Sequence, residues 1–214
     1  MGLRTPLPYD AVLAGQVVDL VPLAESHLPA LKEIAFAHVD EYRLTSTPTN
    51  EEQAERYFGT AFADREAGRA HPVTVVDKAG AVLGLSRITD VHPRNLGCEL
   101  GYTWYHPSVF RSAVNTECKL LILGFAFESL GLHRVDIFTD TRNLRSQAAI
   151  RALGAVFEGV ARRHRVTKDG FVRDSMVYAI TDLDWPNSRL ILEERLARRL
   201  SGSREGSPQA PADL

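Results

Sequence analysis

The stretch that decides the fold is Cys98–Gly131, CELGYTWYHPSVFRSAVNTECKLLILGFAFESLG. Cys98 to Tyr105 reads as a strand. From Asn115 to Leu130 the side chains Leu120, Leu121, Ile122, Leu123, Phe125 and Phe127 cover nearly all sides, which predicts a deeply buried helix. Gly131 fits the left-handed position on which helices commonly end. His106 to Thr116 therefore joins a strand to a helix N-terminus, where unpaired N–H groups and the helix dipole favour an anion. This loop offers small residues Ser112 and Ala113 for close approach, a cation in Arg111, and polar groups in Asn115 and Thr116. Asn115 serves equally well as a plain helix cap, and the residues alone leave both readings open.

Working outward, the order of elements is strand, helix, strand, strand. His133 to Asp140 reads as a strand and Asn143 to Leu153 as a helix closed by Gly154. Ala155 to Arg162 and Arg173 to Thr181 are two further strands, joined through Lys168-Asp169-Gly170. Towards the N-terminus, Pro72 to Asp77 and Ala81 to Asp90 form a hairpin turning at Lys78-Ala79-Gly80. Before it, Ala54, Tyr57, Phe58, Ala61 and Phe62 mark one apolar helical face, opened by a capping box at Thr49 and Glu52. Gln16 to Leu23 is a strand and Glu25 to Ala37 a helix. Early hairpins followed by a strand–helix–strand unit predict an α/β domain with a mixed sheet and helices on both faces.

The chain of 214 residues suits one domain over residues 1–200, with a disordered tail from Ser201 to Leu214 rich in Ser, Gly, Pro and Ala. Before the tail, Trp185-Pro186 opens a helix bearing Leu190, Leu192, Leu196 and Leu200, expected at the surface or in an interface. A formal charge of −2, from 25 basic and 27 acidic side chains, offers no field for nucleic acid or an anionic membrane. The apolar run Leu120–Phe127 is too short to span a bilayer, and the N-terminus has no signal-peptide pattern. Cys98 and Cys118 lack metal-ligand spacing and read as buried, reduced thiols. None of the seven histidines shows metal-binding spacing, and His133, at a strand start, reads as structural.

Several segments carry a resemblance when taken together. Cys98–Lys119, Phe125-Ala126-Phe127-Glu128, Gly131 to Val135, Asn143-Leu144-Arg145-Ser146, Leu153-Gly154-Ala155 and Glu158-Gly159-Val160 stand in a specific order and spacing. In these the chain resembles the GCN5-related (GNAT) N-acetyltransferases of the RimJ/RimL-like branch. The resemblance implies a mostly antiparallel central sheet with one splayed parallel pair. The gap takes the pantetheine arm of acetyl-coenzyme A (acetyl-CoA), and the following loop wraps its pyrophosphate. It implies cofactor contacts from Tyr102, Thr103 and Trp104, from Phe110, Arg111, Ser112, Ala113, Val114, Asn115 and Thr116, and from Asn143 and Ser146. The loop departs from the family pattern Gln/Arg-x-x-Gly-x-Gly/Ala: Phe110, Ala113 and Asn115 occupy its three defined positions. Asn143 is equally good as the N-cap of its helix, with Ser146 in the first turn.

Acyl transfer to an amine requires a proton acceptor, because a terminal amine has a pKa of about 8 and a lysine about 10.4. Glu99, opening the Glu-Leu-Gly-Tyr strand pattern, is the expected base, and it reads also as a strand-edge glutamate paired with an arginine. Asp90 and His92 stand in reserve. Backbone donors of Tyr102 to Trp104 suit a developing oxyanion, and the Ser146 hydroxyl suits protonation of the departing thiolate. The run Arg162-Arg163-His164-Arg165 reads as a solvated face or as the border of an acceptor cleft. The function expected is N-acetyl transfer to a primary amine, either a protein N-terminus or a small molecule, in a ternary complex. The alternative is an inactive acyl-CoA-binding or sensory domain. Relatives in this family are often homodimers, and the absent signal with this cofactor implies the cytoplasm.

Overall fold

The computed structural model describes residues 10–202. Within them the strands are β1 (Leu13–Ala14), β2 (Val18–Pro22), β3 (His71–Asp77), β4 (Val82–His92), β5 (Gly97–Tyr105), β6 (Arg134–Asp140), β7 (Val156–Val166) and β8 (Val172–Thr181). The helices are α1 (Leu28–Ala37), α2 (Glu51–Glu66), α3 (Ala113–Gly124), α4 (Leu144–Arg151) and α5 (Trp185–Gly202). All the strands lie in one sheet, ordered β1-β2-β3-β4-β5-β6-β8-β7. Each neighbouring pair is antiparallel except β5 and β6, the parallel pair, which meet only through Gly97, Cys98 and Glu99 against Arg134, Val135 and Asp136. Past Glu99 the two strands diverge. The mixed sheet with a splayed parallel pair is as the sequence predicts.

Alternating side chains send apolar groups to both faces of the sheet. On one face Leu20, Val75, Ile88, Leu100 and Val135 join Cys118 and Ile122 of α3 and Leu192 of α5. On the other, Leu85 and Trp104 join Leu31 of α1 and Tyr57 and Phe58 of α2. Leu192 and Leu196 of α5 are turned inward, and Leu190 is exposed. No helix among the described residues is long and apolar enough to cross a membrane.

Three boundaries shift for local reasons. The buried helix begins at Ala113, two residues before the expected start, because Ser112 is its cap: the Ser112 Oγ accepts the Val114 N–H at 3.2 Å. Asn115 is thus inside the first turn and does not cap it. The end of this helix widens over Phe125–Ser129, where the Leu130 N–H reaches back to the Phe125 carbonyl at 3.0 Å. Gly131 then takes the left-handed φ of 68°. The capping box expected at Thr49 and Glu52 is displaced by one residue: Asn50 Oδ1 accepts the Gln53 N–H at 2.9 Å, and Gln53 Oε1 accepts the Thr49 N–H at 3.0 Å. β7 continues to Val166, and α5 includes Ser201 and Gly202; the remainder of the predicted tail lies outside the described residues.

The apolar surround of α3 conceals one anchoring carboxylate. Glu117 is 2% exposed and accepts the backbone N–H groups of Gln16, Val17 and Val18 at 2.6, 2.6 and 2.8 Å. It fastens α3 to the turn between β1 and β2, far away in sequence. Removing it leaves three backbone donors, that of Val18 buried, without this acceptor. Glu117→Ala is expected to lower the unfolding free energy by about 3 kcal/mol in urea titration at pH 7, while Glu117→Gln retains one acceptor and loses less. Equal stability of wild type and Glu117→Ala would show that this carboxylate anchors nothing.

Candidate active site

The gap between β5 and β6 originates in a β-bulge. Arg87 pairs with Gly101 and Leu85 with Trp104, so β5 carries one more residue than β4 across this interval. Tyr102 takes the extra turn with φ of 54°, a left-handed value that a tyrosine adopts only when its surroundings enforce it. The partner strand is adapted at the same level: a Cβ on Gly84 would lie 2.2 Å from the Trp104 carbonyl oxygen. The bulge bends β5 away from β6, leaving residues 100–105 without a ladder partner on that side. Their side chains are largely committed elsewhere. Trp104 Nε1 donates to the Tyr57 hydroxyl at 3.0 Å, and Thr103 Oγ1 accepts from the buried Lys119 Nζ at 2.7 Å. Trp104 and Tyr105 remain paired with Leu85 and Gly84 on the β4 side.

At the base of the gap Glu99, 5% exposed, is gripped by Arg165 of β7, whose Nη1 and Nη2 donate to its two carboxylate oxygens at 2.9 and 2.5 Å. A bulge in β7, with Arg163 at φ 49°, turns Arg165 inward while Arg162, Arg163 and His164 stay exposed. The basic run thus divides, one arginine for the site and the rest for solvent. Arg173 faces Arg165 across the ladder, and its buried Nε has no acceptor. Asp90 and His92 are exposed near the end of β4. His133 pairs through Nδ1 with Asp182 at 2.8 Å, at the surface.

Beyond the open end of the gap lie two helix N-termini. The α3 terminus follows Phe110 and the exposed Arg111, which adopts φ of 64°; Ala113, Val114 and Thr116 are buried, and Asn115 is half-buried. The α4 terminus is capped by Asn143, whose Oδ1 accepts the Ser146 N–H at 3.0 Å. Arg145, one residue before Ser146, reaches across to the β5 side. Its guanidinium lies 4.8 Å from the Phe110 ring centre and donates to the Glu41 carboxylate at 2.7 Å. Beside it Asp140 is fully buried. Burial pushes its carboxyl up, but the Arg142 guanidinium, bonded at 2.9 and 2.7 Å, holds it below the usual range.

On the α2 side of the bulge is a cleft of about 280 Å³ whose walls include Arg56, Tyr57 and Thr60 of α2, Arg87 of β4, Tyr102 of β5, and Lys168. Lys168, in the turn between β7 and β8, donates to the carbonyls of Tyr42 and Thr47 at 3.1 and 2.7 Å; its burial lowers its pKa. Arg87 is 2% exposed. Among the described residues no group of three His, Cys, Asp or Glu side chains is placed to hold a metal.

The acetyltransferase (GNAT) domain description matches residues 18–156, which include the bulge, the gap and both helix termini. The chain belongs to the GNAT acetyltransferase family. A GNAT-type acetyltransferase is an acyl-transferring enzyme, and the solved relatives agree. A protein from T. thermophilus, provisionally described as an acetyltransferase, is 33% identical with a TM-score of 0.76, over 86% of this chain and 96% of that one. A GCN5-related N-acetyltransferase from Brucella melitensis is 25% identical with a TM-score of 0.80, over 92% of this chain and 89% of that one. YdaF of Bacillus subtilis (strain 168), whose name carries a provisional ribosomal N-acetyltransferase assignment, is 26% identical over 110 residues, 51% of this chain. The match spans 59% of that relative's own length.

Sequence reasoning missed Arg87, Arg145, Arg165 as the partner of Glu99, and Lys168. Arg87 left a legible trace: it alternates with Leu85 on a strand and so stands at an inward position, where a charge is rare. The partners of the others depend on bulges and long-range docking. The capping role of Asn143 is testable without any ligand. Asn143→Ala should lower the stability of the free protein by about 1 kcal/mol, and Asn143→Asp should restore most of it. An unchanged denaturation midpoint for Asn143→Ala would contradict the capping geometry.

Proposed function

We propose that this GNAT domain is an N-acetyltransferase that moves an acetyl group from acetyl-CoA to a primary amine within a ternary complex. The observation that carries the reading is the gap itself: β5 backbone past Glu99 without a β6 partner, opening towards two helix N-termini. That donor set suits the group. Strand N–H and C=O groups match the amides of a pantetheine arm. The N-terminus of α3, with Arg111 beside it, matches a pyrophosphate. Asn143 and Ser146 line the α4 side. Ala113 in place of glycine keeps the loop small, and Phe110, unable to donate a hydrogen bond, contributes a ring on which Arg145 stacks.

Acetyl-CoA supplies an acyl group activated as a thioester. Backbone N–H groups of Tyr102 to Trp104 stabilise negative charge on the acyl oxygen. Glu99 accepts the proton of the incoming amine, directly or through water, and Arg165 fixes the orientation of its carboxylate. The Ser146 hydroxyl gives a proton to the departing sulfur. The cleft beside Tyr102 receives the acceptor. The name of the Bacillus relative favours a protein α-amine, and the small cleft also suits a low-molecular-weight amine. Such a reaction belongs in the cytoplasm.

The pairing of Glu99 with Arg165 favours one second reading, a domain that holds acyl-CoA without transferring it, because both carboxylate oxygens are engaged by the arginine. Turnover separates the two. Acetyl-CoA at about a hundred times its Kd should stabilise the protein by about 2.7 kcal/mol in thermal unfolding, and an Asn143→Ala/Arg111→Ala variant should blunt that rise. Adding an amine should release free thiol, and Glu99→Gln should lower kcat by about a hundredfold while leaving the midpoint rise intact. A midpoint rise with no thiol from any amine assigns the protein to binding alone; no rise at all withdraws the cofactor.

A further inference from the structure

Arg87 is a buried cation without a counter-ion. Its guanidinium lies against two rings that meet edge-on, 4.0 Å from the centre of Tyr57 and 4.5 Å from that of Tyr102. Its Nη2 donates to the Tyr57 carbonyl at 3.0 Å, the Tyr57 hydroxyl also interacts with the guanidinium, and its buried Nε has no acceptor among the described residues. A guanidinium carries five N–H donors and keeps its charge at any ordinary pH. The aromatic faces offset part of the desolvation, but they answer none of the N–H groups.

Among the described residues no Asp or Glu lines this cleft, and three carboxylates around the gap are engaged by other arginines. Glu99 is held by Arg165, Asp140 by Arg142, and Glu41 by Arg145. Arg56, on the cleft wall, pairs outward with Glu52 at the exposed surface of α2. Lys168 donates to backbone carbonyls and adds a further positive charge to the cleft. A residue needed only to pack α2 against β4 would serve better as an apolar side chain, since a buried unpaired charge is destabilising. Arg87 lines the cleft, and its Cα partner is Gly101, next to the bulge where the gap opens.

We infer that the acceptor is a primary amine bearing a carboxylate, and that Arg87 binds this carboxylate, with Lys168 reinforcing the positive field. The inference rests on the acetyltransferase reading and specifies its substrate class. Arg87 fixes the acceptor beside the gap, and the surrounding guanidinium charges lower the pKa of the acceptor's ammonium group, favouring the neutral nucleophile. A free amino acid and a peptide with an acidic residue behind its N-terminus share this chemistry.

Two pairs of acceptors distinguish the sources: L-alanine against L-alaninamide, and Ala-Glu amide against Ala-Gln amide, with kcat/KM referred to the neutral amine. In at least one pair the carboxylate member should be preferred by about 30-fold or more, the low end for a buried charged hydrogen bond. Arg87→Gln should bring that ratio to within about threefold of unity, and Arg87→Lys should recover only part of it, since the planar fork is lost. Both variants should keep the midpoint rise with acetyl-CoA. Wild-type ratios near one in both pairs, or a preference that survives Arg87→Gln, overturn the inference. The same compounds are also read by thermal unfolding without acetyl-CoA. Stabilisation by the carboxylate members alone, with no thiol released from any amine, supports the anion site and sinks the transferase reading alone. No shift from any compound, with no preference in turnover, sinks the inference.

Discussion

Past Glu99 the backbone of β5 stops pairing with β6, and nearly everything functional in this molecule is arranged around that divergence. The cause is local: one extra residue in β5, absorbed by Tyr102 in a left-handed conformation. Such a residue is strained and persists only where neighbours over-determine it. Here the neighbours are Gly84, which makes room for the Trp104 carbonyl, and Trp104, held by the Tyr57 hydroxyl. α2 thereby supports the bulge from one face. α3 supports it from the other through Lys119 and Thr103, and Glu117 in turn fixes α3 to the first hairpin.

Charge follows the same plan. Three acidic groups around the gap are each held by one arginine: Glu99 by Arg165, Asp140 by Arg142, Glu41 by Arg145. Two of these pairs connect elements that meet only through tertiary contact: β5 with β7, and α4 with the segment after α1. Arg87 falls outside this pairing. A cleft lined by no carboxylate among the described residues, yet holding a buried guanidinium, is electrostatically incomplete until an anion enters it.

The sheet and the order of helices were legible in the sequence because each depends on short-range signals, whereas the gap entered only through the family resemblance. Strand runs, an apolar helix closed by Gly131, and Asn143 opening a helix are all readable within a few residues. Cap positions shifted by one residue at α2 and three at α3, since Asn50 and Ser112 compete on nearly equal terms with Thr49 and Asn115. The alternative reading of Glu99 as an arginine's partner could be written from sequence, but Arg165 could not be singled out from Arg162 and Arg163. Only the β7 bulge decides which of them turns inward. Arg87 was visible as an arginine in a buried strand, but only the fold shows that no carboxylate among the described residues lines its cleft.

If the splayed strand is where acetyl-CoA binds, its backbone amides must change on binding. Hydrogen exchange of those amides, with and without saturating acetyl-CoA, measures this directly. Protection should rise at residues 102–105 of β5 and at the first turns of α3 and α4, while the hairpin of β1 and β2 stays unchanged. Unaltered exchange along β5, or protection confined to surfaces away from the gap, would contradict it.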